Sequence, residues 1–577
     1  MQRLGQTKQP AAFDIVPELW LRPSMHAPRL WATLDPFLES GAVMGRKVAN
    51  AGFLDALVRA DPFDAYHFFM LSPRERDAQR ELLAARYPEA AGRGKFKILT
   101  RLDLPEALAA TDYAVFHLSD CITSQPRLAA ARNSLARSIF PITGTTHSLS
   151  YAAYAREFLA HLWPGTTGRD AIVATSRAGE AVVSRIFEGL RRGYGLTPEA
   201  YPAPAIERIP LGVEPGNWRA ICGQEREAAR AACGIPGDAI ALLVFGRISH
   251  SSKMDPLPLF RAVQRLAASG VAPASLCLVM AGWIDEDGQA FLETLRALAA
   301  NVGLPLMLVA RPDDARKRQL FGAADIFVSL ADNPQETFGL TLLEAMAASL
   351  PVVASDYDGY RDIVVPGRTG FLAPTLGLPD SGVRDVLAPL CYDNHIHLRL
   401  AQGLAVDVAA VADALGRLVR DPGLRREMGA AGRARVEELF TWDAVVAAHR
   451  GLWERLAAAP VPDATGLRAL VHPGALAYGD VFAGYPVAAL SDAVRLTWSR
   501  AGRAVYRNRD YPIVYAGLGE EISLAAVRTL LFLARGGCPG LTLAARLAAA
   551  EPSLDLWAAR YHVVWALKQD LLEKETS

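Results

Sequence analysis

Residues 333–355 read NPQETFGLTLLEAMAASLPVVAS: a polar turn, an aromatic and a glycine, an apolar helical pattern, then a short β-branched run. The pattern predicts a helix opening near Phe338 and a strand over 351–355. Glu336 then stands just outside the helix N-terminus and Glu344 nearly two turns in, about 9 Å further along the axis, so the two carboxylates would meet different parts of an elongated ligand. The backbone N–H groups of Phe338, Gly339 and Leu340 aim out of the helix end, where the dipole presents roughly half a positive charge to an anion. Gly339 lets a ligand approach that backbone closely.

A diphosphate carries about two negative charges, and a helix end worth only ~0.3–1 kcal/mol does not hold it alone. The cations come from LLVFGRISHSSKMDPLPLFRAV, residues 242–263. Its strand pattern ends at Gly246 and is followed by Arg247 and, across a polar loop, by Lys253. Both fall at the carboxyl end of a predicted parallel strand, where open α/β sheets bind ligands. Arginine suits bidentate phosphate recognition and lysine acts as a point charge. A lone arginine after a strand is commonly structural, and a Glu pair at this spacing arises readily by chance. Their joint placement in ordered strand-loop-helix units is what favours function.

Outward from these segments, short apolar runs alternate with helical patterns from YHFFMLS (66–72) through AIVATS (171–176) and again from ALLVFG (241–246) through PVVAS (351–355). Such repetition predicts an α/β protein with parallel, doubly wound sheets. The proline-rich YPAPA (201–205) divides it into an N-terminal Rossmann-like domain, 1–203, and a C-terminal Rossmann-like domain, 204–440. TWDAVVAAHRGLWERL reads as one amphipathic helix, 441–456. After the linker AAAPVPDATG, residues 467–577 read as a helical extension of unknown role whose Trp498, Trp557 and Trp565 are expected in its core.

Composition sets the outer limits. A chain of 577 residues exceeds one core. Lys plus Arg equals Asp plus Glu at 61 each, so no overall field draws it to nucleic acid, and any anion site must be local. Six scattered cysteines without a CxxC pair suit a reducing, cytoplasmic setting. The opening MQRLGQTKQP has no apolar run behind it, and no segment approaches the roughly 18 apolar residues of a membrane span. This predicts neither a signal peptide nor a transmembrane segment and leaves peripheral membrane contact open.

The ordered motifs ATSRAGEAVVSRIF, IPLGVEPGNW, FGRISHSSK, FGAADIFVSLADNPQETFGLTLLEAMAASLPVVAS, GRTGFL and RREMGAAGRARVEELFTWDAVV resemble the retaining family-4 glycosyltransferases, built from two facing Rossmann-like domains in the GT-B arrangement. The resemblance covers roughly residues 110–458. It implies that Arg247 and Lys253, after Gly246, stabilise a leaving nucleoside diphosphate. It places Glu336 on the transferred sugar and Glu344 on the ribose, with Phe338, Gly339 and Leu340 giving backbone contacts. Arg311 falls where the family meets the base. His147, in FPITGTTHSLSYAAY, resembles the histidine that faces the donor sugar from the N-terminal domain, and helix 441–456 resembles the one that crosses back to brace that domain. The chain departs from the pattern in its first loop, where only Gly41 and Gly45 stand for the family's paired glycines, and in having Asp362 as the family's later acid.

Two patterns look like metal sites. Asp356 and Asp358 in SDYDGY match DxD but follow a strand and precede a helix turn, which makes them turn and cap residues. Cys391, His395 and His397 in CYDNHIH lack a second ligand pair at suitable spacing and read as an insertion. The expected reaction is therefore transfer of a sugar from a nucleotide-diphosphate donor to a glycan, lipid-linked glycan or protein, with retention and without metal or other cofactor. The alternatives are a phosphorylase or sugar-phosphate synthase on the same fold, or a non-catalytic scaffold whose C-terminal region mediates protein contacts or oligomerisation.

Overall fold

Seven short strands, β1 Leu30–Thr33, β2 Ala65–Met70, β3 Phe96–Thr100, β4 Val115–Leu118, β5 Ile142–Thr145, β6 Asp170–Ala174 and β7 Ala205–Arg208, form one parallel sheet in the order β3-β2-β1-β4-β5-β6-β7. The computed structural model describes residues 29–39, 45–218, 221–284, 289–461, 463–519 and 521–575; Gly41, a candidate for the first loop, lies outside them. Gly45 opens the helix Gly45–Ala60. The central strands β1, β4, β5 and β6 are buried on both faces, as packing between two helical layers requires. β7 pairs with β6 from Ala171↔Ala205 to Ala174↔Arg208. The N-terminal sheet therefore runs past the expected boundary at 203, because the proline-rich turn feeds a last edge strand instead of leaving the domain.

A second parallel sheet contains β8 Ile240–Arg247, β9 Leu276–Trp283, β10 Leu306–Ala310, β11 Ile326–Ser329, β12 Val352–Ser355 and β13 Gly370–Ala373, in the order β10-β9-β8-β11-β12-β13. This is the doubly wound order that reverses beside the first strand, and β8 and β11 flank the reversal. Two doubly wound sheets in succession are what the resemblance to the GT-B arrangement implies. Helix Trp442–Ala458 follows the second domain in sequence yet places Trp442, Val445, Val446, Leu452, Trp453 and Leu456 in the core of the first, beside Trp31, Phe53 and Phe68. Trp453 Nε1 also donates to Thr143 Oγ1 on β5 at 3.0 Å.

The chain divides into units 1–474 and 475–577. The expected start of the extension at 467 falls inside the first unit, where Arg468 Nη2 donates to Ala136 O at 2.8 Å and His472 lies against Ala160 O. The second unit has its own core around Leu496, Leu530, Leu531, Leu543, Leu547 and Val563. Alongside its helices it carries a small antiparallel sheet, in which Arg495–Trp498 pairs with Cys538–Pro539 and Leu572–Lys574. Trp565 is core, but Trp557 is 61% exposed and stacks on Tyr561, so its expected burial is corrected: it lies on the solvent face of an amphipathic helix.

Candidate active site

The helix in NPQETFGLTLLEAMAASLPVVAS starts at Leu340, two residues later than the sequence pattern predicts, with Gly339 as its N-cap at φ 114°. A side chain on Gly339 would bring Cβ within 2.6 Å of the Tyr360 ring, so this left-handed turn is both conformationally and sterically reserved for glycine. The shift leaves Glu344 little more than one turn into the helix, buried. Glu336 and Thr337 lie in the loop before it. The turn at Gly359 packs against the same loop: a Cβ there would meet Phe338 Cα at 2.6 Å and Thr337 O at 2.7 Å.

β8 ends at Arg247, directly opposite that loop. Lys253 Nζ donates to Glu336 Oε2. Burial alone would raise the Glu336 carboxyl, but the Lys253 charge and hydrogen bond, with the Phe338 and Thr337 amides, hold it below its ordinary value. The reverse balance lifts the Lys253 ammonium above its own, because the carboxylate outweighs the burial. Arg247 Nη2 donates to Ser252 O and to Gln335 Oε1, each at 3.1 Å. Among the described residues no carboxylate pairs with it, so its charge faces the open site uncompensated.

Glu344 Oε1 lies 2.6 Å from Lys317 Nζ, while Oε2 is buried with no hydrogen-bond partner among the described residues. Burial raises this carboxyl despite Lys317. The Lys317 ammonium also sits 5.1 Å from the Trp218 ring and 5.0 Å from Phe245. Arg311 follows β10 in a left-handed conformation, φ 46°, with its guanidinium 5.5 Å from the Trp283 ring at the end of β9. Phe338 is buried.

In the N-terminal domain His147 follows β5. Its Nε2 donates to Ser119 O at 2.8 Å, which leaves Nδ1 bare, and burial together with Arg46 lowers the ring to about 4. It is an uncharged imidazole near neutrality. Ser176 Oγ, at the start of helix Arg177–Tyr194, donates to Thr337 O at 2.7 Å, and Arg177 N donates to Asp362 Oδ2 at 2.6 Å. The two Rossmann-like domains thus touch directly at the Glu336 loop, and the later acid is an interdomain anchor.

The structure corrects one reading and adds residues that sequence reasoning missed. Asp356 holds Arg361 within its turn, as expected. Asp358 caps nothing: it adopts φ 51°, its Oδ2 is buried without a partner, and burial beside Glu336 raises its carboxyl to about 8. Its spacing from Tyr360 carried no signal of that neighbourhood. Lys317 and Gln335 were also overlooked, the first among many helix cations and the second beside a more conspicuous glutamate. Among the described residues no group of three or more His, Cys, Asp or Glu is arranged to hold a metal ion, and no helix is long and apolar enough to cross a membrane.

The segment carrying Arg247, Lys253, Glu336 and Glu344 matches the family described as glycosyl transferases group 1, over residues 225–383. Similarity to known proteins extends beyond this segment. A D-inositol 3-phosphate glycosyltransferase of Streptomyces avermitilis is 34% identical over 41% of this chain and 44% of its own length, so the chain spans less than half of that relative. A phosphatidyl-myo-inositol mannosyltransferase of Mycobacterium tuberculosis is 27% identical over 64% of this chain and 81% of its own. Among solved structures, a glycosyltransferase from Rickettsia africae superposes with TM-score 0.51 at 15% identity, covering 75% of this chain and 99% of that one. HepE of Anabaena in complex with UDP superposes with TM-score 0.50 at 14% identity, covering 74% and 99%. At these identities the superpositions show a shared fold and nothing further.

Proposed function

We propose that the chain is a retaining glycosyltransferase that moves a sugar from a nucleotide-diphosphate donor without a bound metal. The observation that carries this reading is the meeting of Arg247 and Lys253, at the end of β8, with the Glu336 loop in one mouth between two Rossmann-like domains. The charge on Arg247, unpaired with any carboxylate among the described residues, supplies what a departing diphosphate needs. Lys253 is already half-committed to Glu336, so it acts on the same phosphate as a shared cation.

In this mechanism the bond from the anomeric carbon to the diphosphate oxygen breaks first, an oxocarbenium-like centre develops, and negative charge collects on the leaving oxygens beside Arg247 and Lys253. Glu336 holds sugar hydroxyls and is not the nucleophile. The acceptor hydroxyl attacks from the face the diphosphate has left and passes its proton to a leaving phosphate oxygen. Glu344 takes the ribose, Arg311 meets the base, and the bare Nδ1 of His147 faces the sugar. Because both inositol-linked relatives are named for polyol-type acceptors, inositol 3-phosphate belongs in the first acceptor panel. The test is incubation with UDP-, GDP- and ADP-sugars, reading released nucleoside diphosphate with and without Glu336→Ala. Release that needs Glu336 supports the reading; no release from any donor overturns it.

A further inference from the structure

The CYDNHIH segment, read from sequence as an insertion without chemistry, folds as the helix Asp393–Ala401 and reaches the donor mouth. Gln335 Nε2 lies 2.7 Å from His397 Nδ1 and 3.0 Å from Asn394 Oδ1. His397 Nε2 lies 3.0 Å from Ser150 O in the N-terminal domain, on the loop that follows His147. The same loop is held a second time by Ala152 N donating to Asp393 Oδ1 at 3.1 Å, and the Tyr151 ring stands edge-on to His397 at 5.4 Å. His397 is fully buried.

The polarity of this chain is determined throughout. A guanidinium only donates, so Gln335 must turn its oxygen to Arg247 and its amide nitrogen to His397 and Asn394. A backbone carbonyl only accepts, so His397 must carry its proton on Nε2 and accept on Nδ1. The result is one directional run of hydrogen bonds: Arg247 to Gln335, Gln335 to His397, His397 to Ser150. Apart from Gln335, the described partner of the Arg247 guanidinium is the Ser252 carbonyl within its own loop. Its aim across the mouth is thus set by Gln335.

We propose that Gln335 and His397 are positioning residues that aim Arg247 at the donor diphosphate, and that the N-terminal loop at Ser150 completes the relay. This deepens the transferase reading and rests on it. Each domain then contributes to the same cation: the second supplies Arg247, and the first fixes the ring that fixes the amide that holds it.

The test uses the full chain and calorimetric titration with UDP, GDP and ADP and with the matching nucleosides. Gln335→Ala and His397→Gln should weaken whichever diphosphate the wild type binds by about tenfold, the scale of one charge-assisted hydrogen bond, and leave nucleoside affinity unchanged. His397→Asn, whose oxygen replaces the Nδ1 acceptor, should recover most of that loss. Equal losses of diphosphate and nucleoside affinity would mean a merely structural role and overturn the relay, as would unaltered diphosphate affinity in Gln335→Ala. If the buried His397 variants fail to fold, Gln335→Ala on its partly exposed loop decides alone. A wild type that binds none of the three diphosphates overturns the transferase reading itself and the relay with it, whereas diphosphate binding that the variants leave intact overturns only the relay.

Discussion

Lys317 Nζ stands 2.6 Å from Glu344 Oε1, with side-chain exposures of 18% and 7%. The carboxylate proposed for the ribose is already half-neutralised by its own domain. Removing the cation leaves a buried, unpaired charge, so Lys317→Met should cost about 3–5 kcal/mol of stability. Combining it with Glu344→Leu should return much of that. Urea unfolding of the single and double variants checks this; additive losses would contradict the pairing.

Arg247 should matter to turnover far more than to folding. Arg247→Ala should lower kcat for nucleotide-sugar consumption by roughly 10²–10³, the range for losing one preorganised electrostatic donor, with little change in melting temperature. Arg247→Lys should recover only a small part, since an ammonium lacks the planar fork that presents paired donors to a phosphate while one nitrogen stays on Gln335. Steady-state kinetics on the donor found in the panel provide the measurement.

Asp358 gives a pH signature. Burial beside Glu336 lifts its folded carboxyl to about 8, well above the ordinary carboxylate range. The native state therefore holds a proton that the unfolded chain has released. Its contribution to stability is fully present below the unfolded value and is lost as pH rises towards 8. Asp358→Asn, which cannot ionise, should melt higher than wild type at pH 8.5, by on the order of 2 °C or more, and the difference should shrink by pH 5. Scanning calorimetry across that range reads it; a pH-independent difference refutes the assignment.

Gly339 tests the turn that sets the helix start. Its φ of 114° and the 2.6 Å approach of a built Cβ to Tyr360 both oppose any side chain. Gly339→Ala should destabilise by about 1–3 kcal/mol and weaken diphosphate binding as the Glu336 loop shifts. Denaturation and titration of the same preparation would detect both.

The parallel sheets and the nearness of Arg247 and Lys253 to the Glu336 loop were legible in sequence because each rests on local pattern: apolar strands, a strand-end cation, a helix opening. The late start of the helix was not, since it depends on Tyr360 crowding Gly339 from another element. Nor was β7, because a short, half-exposed AIER run after a proline-rich turn has too little apolar pattern to separate strand from linker. Gln335, Lys317, Asp358 and His397 act through neighbours tens of residues away or more, and such partners leave no spacing to read. His397 shows the point best: as one of three candidate metal ligands it looked inert, and only the fold brings it to Gln335.

Helix Trp442–Ala458 has a consequence for biosynthesis. Its two tryptophans and its aliphatic face fill the interior beneath β1 and β2, so the first domain stays unfinished while the whole second domain is being translated. The nascent half-molecule would carry an open apolar surface around Trp31 and Phe53 until the ribosome has passed Ala458, a long interval in which a chaperone, or another half-made chain, competes for that surface.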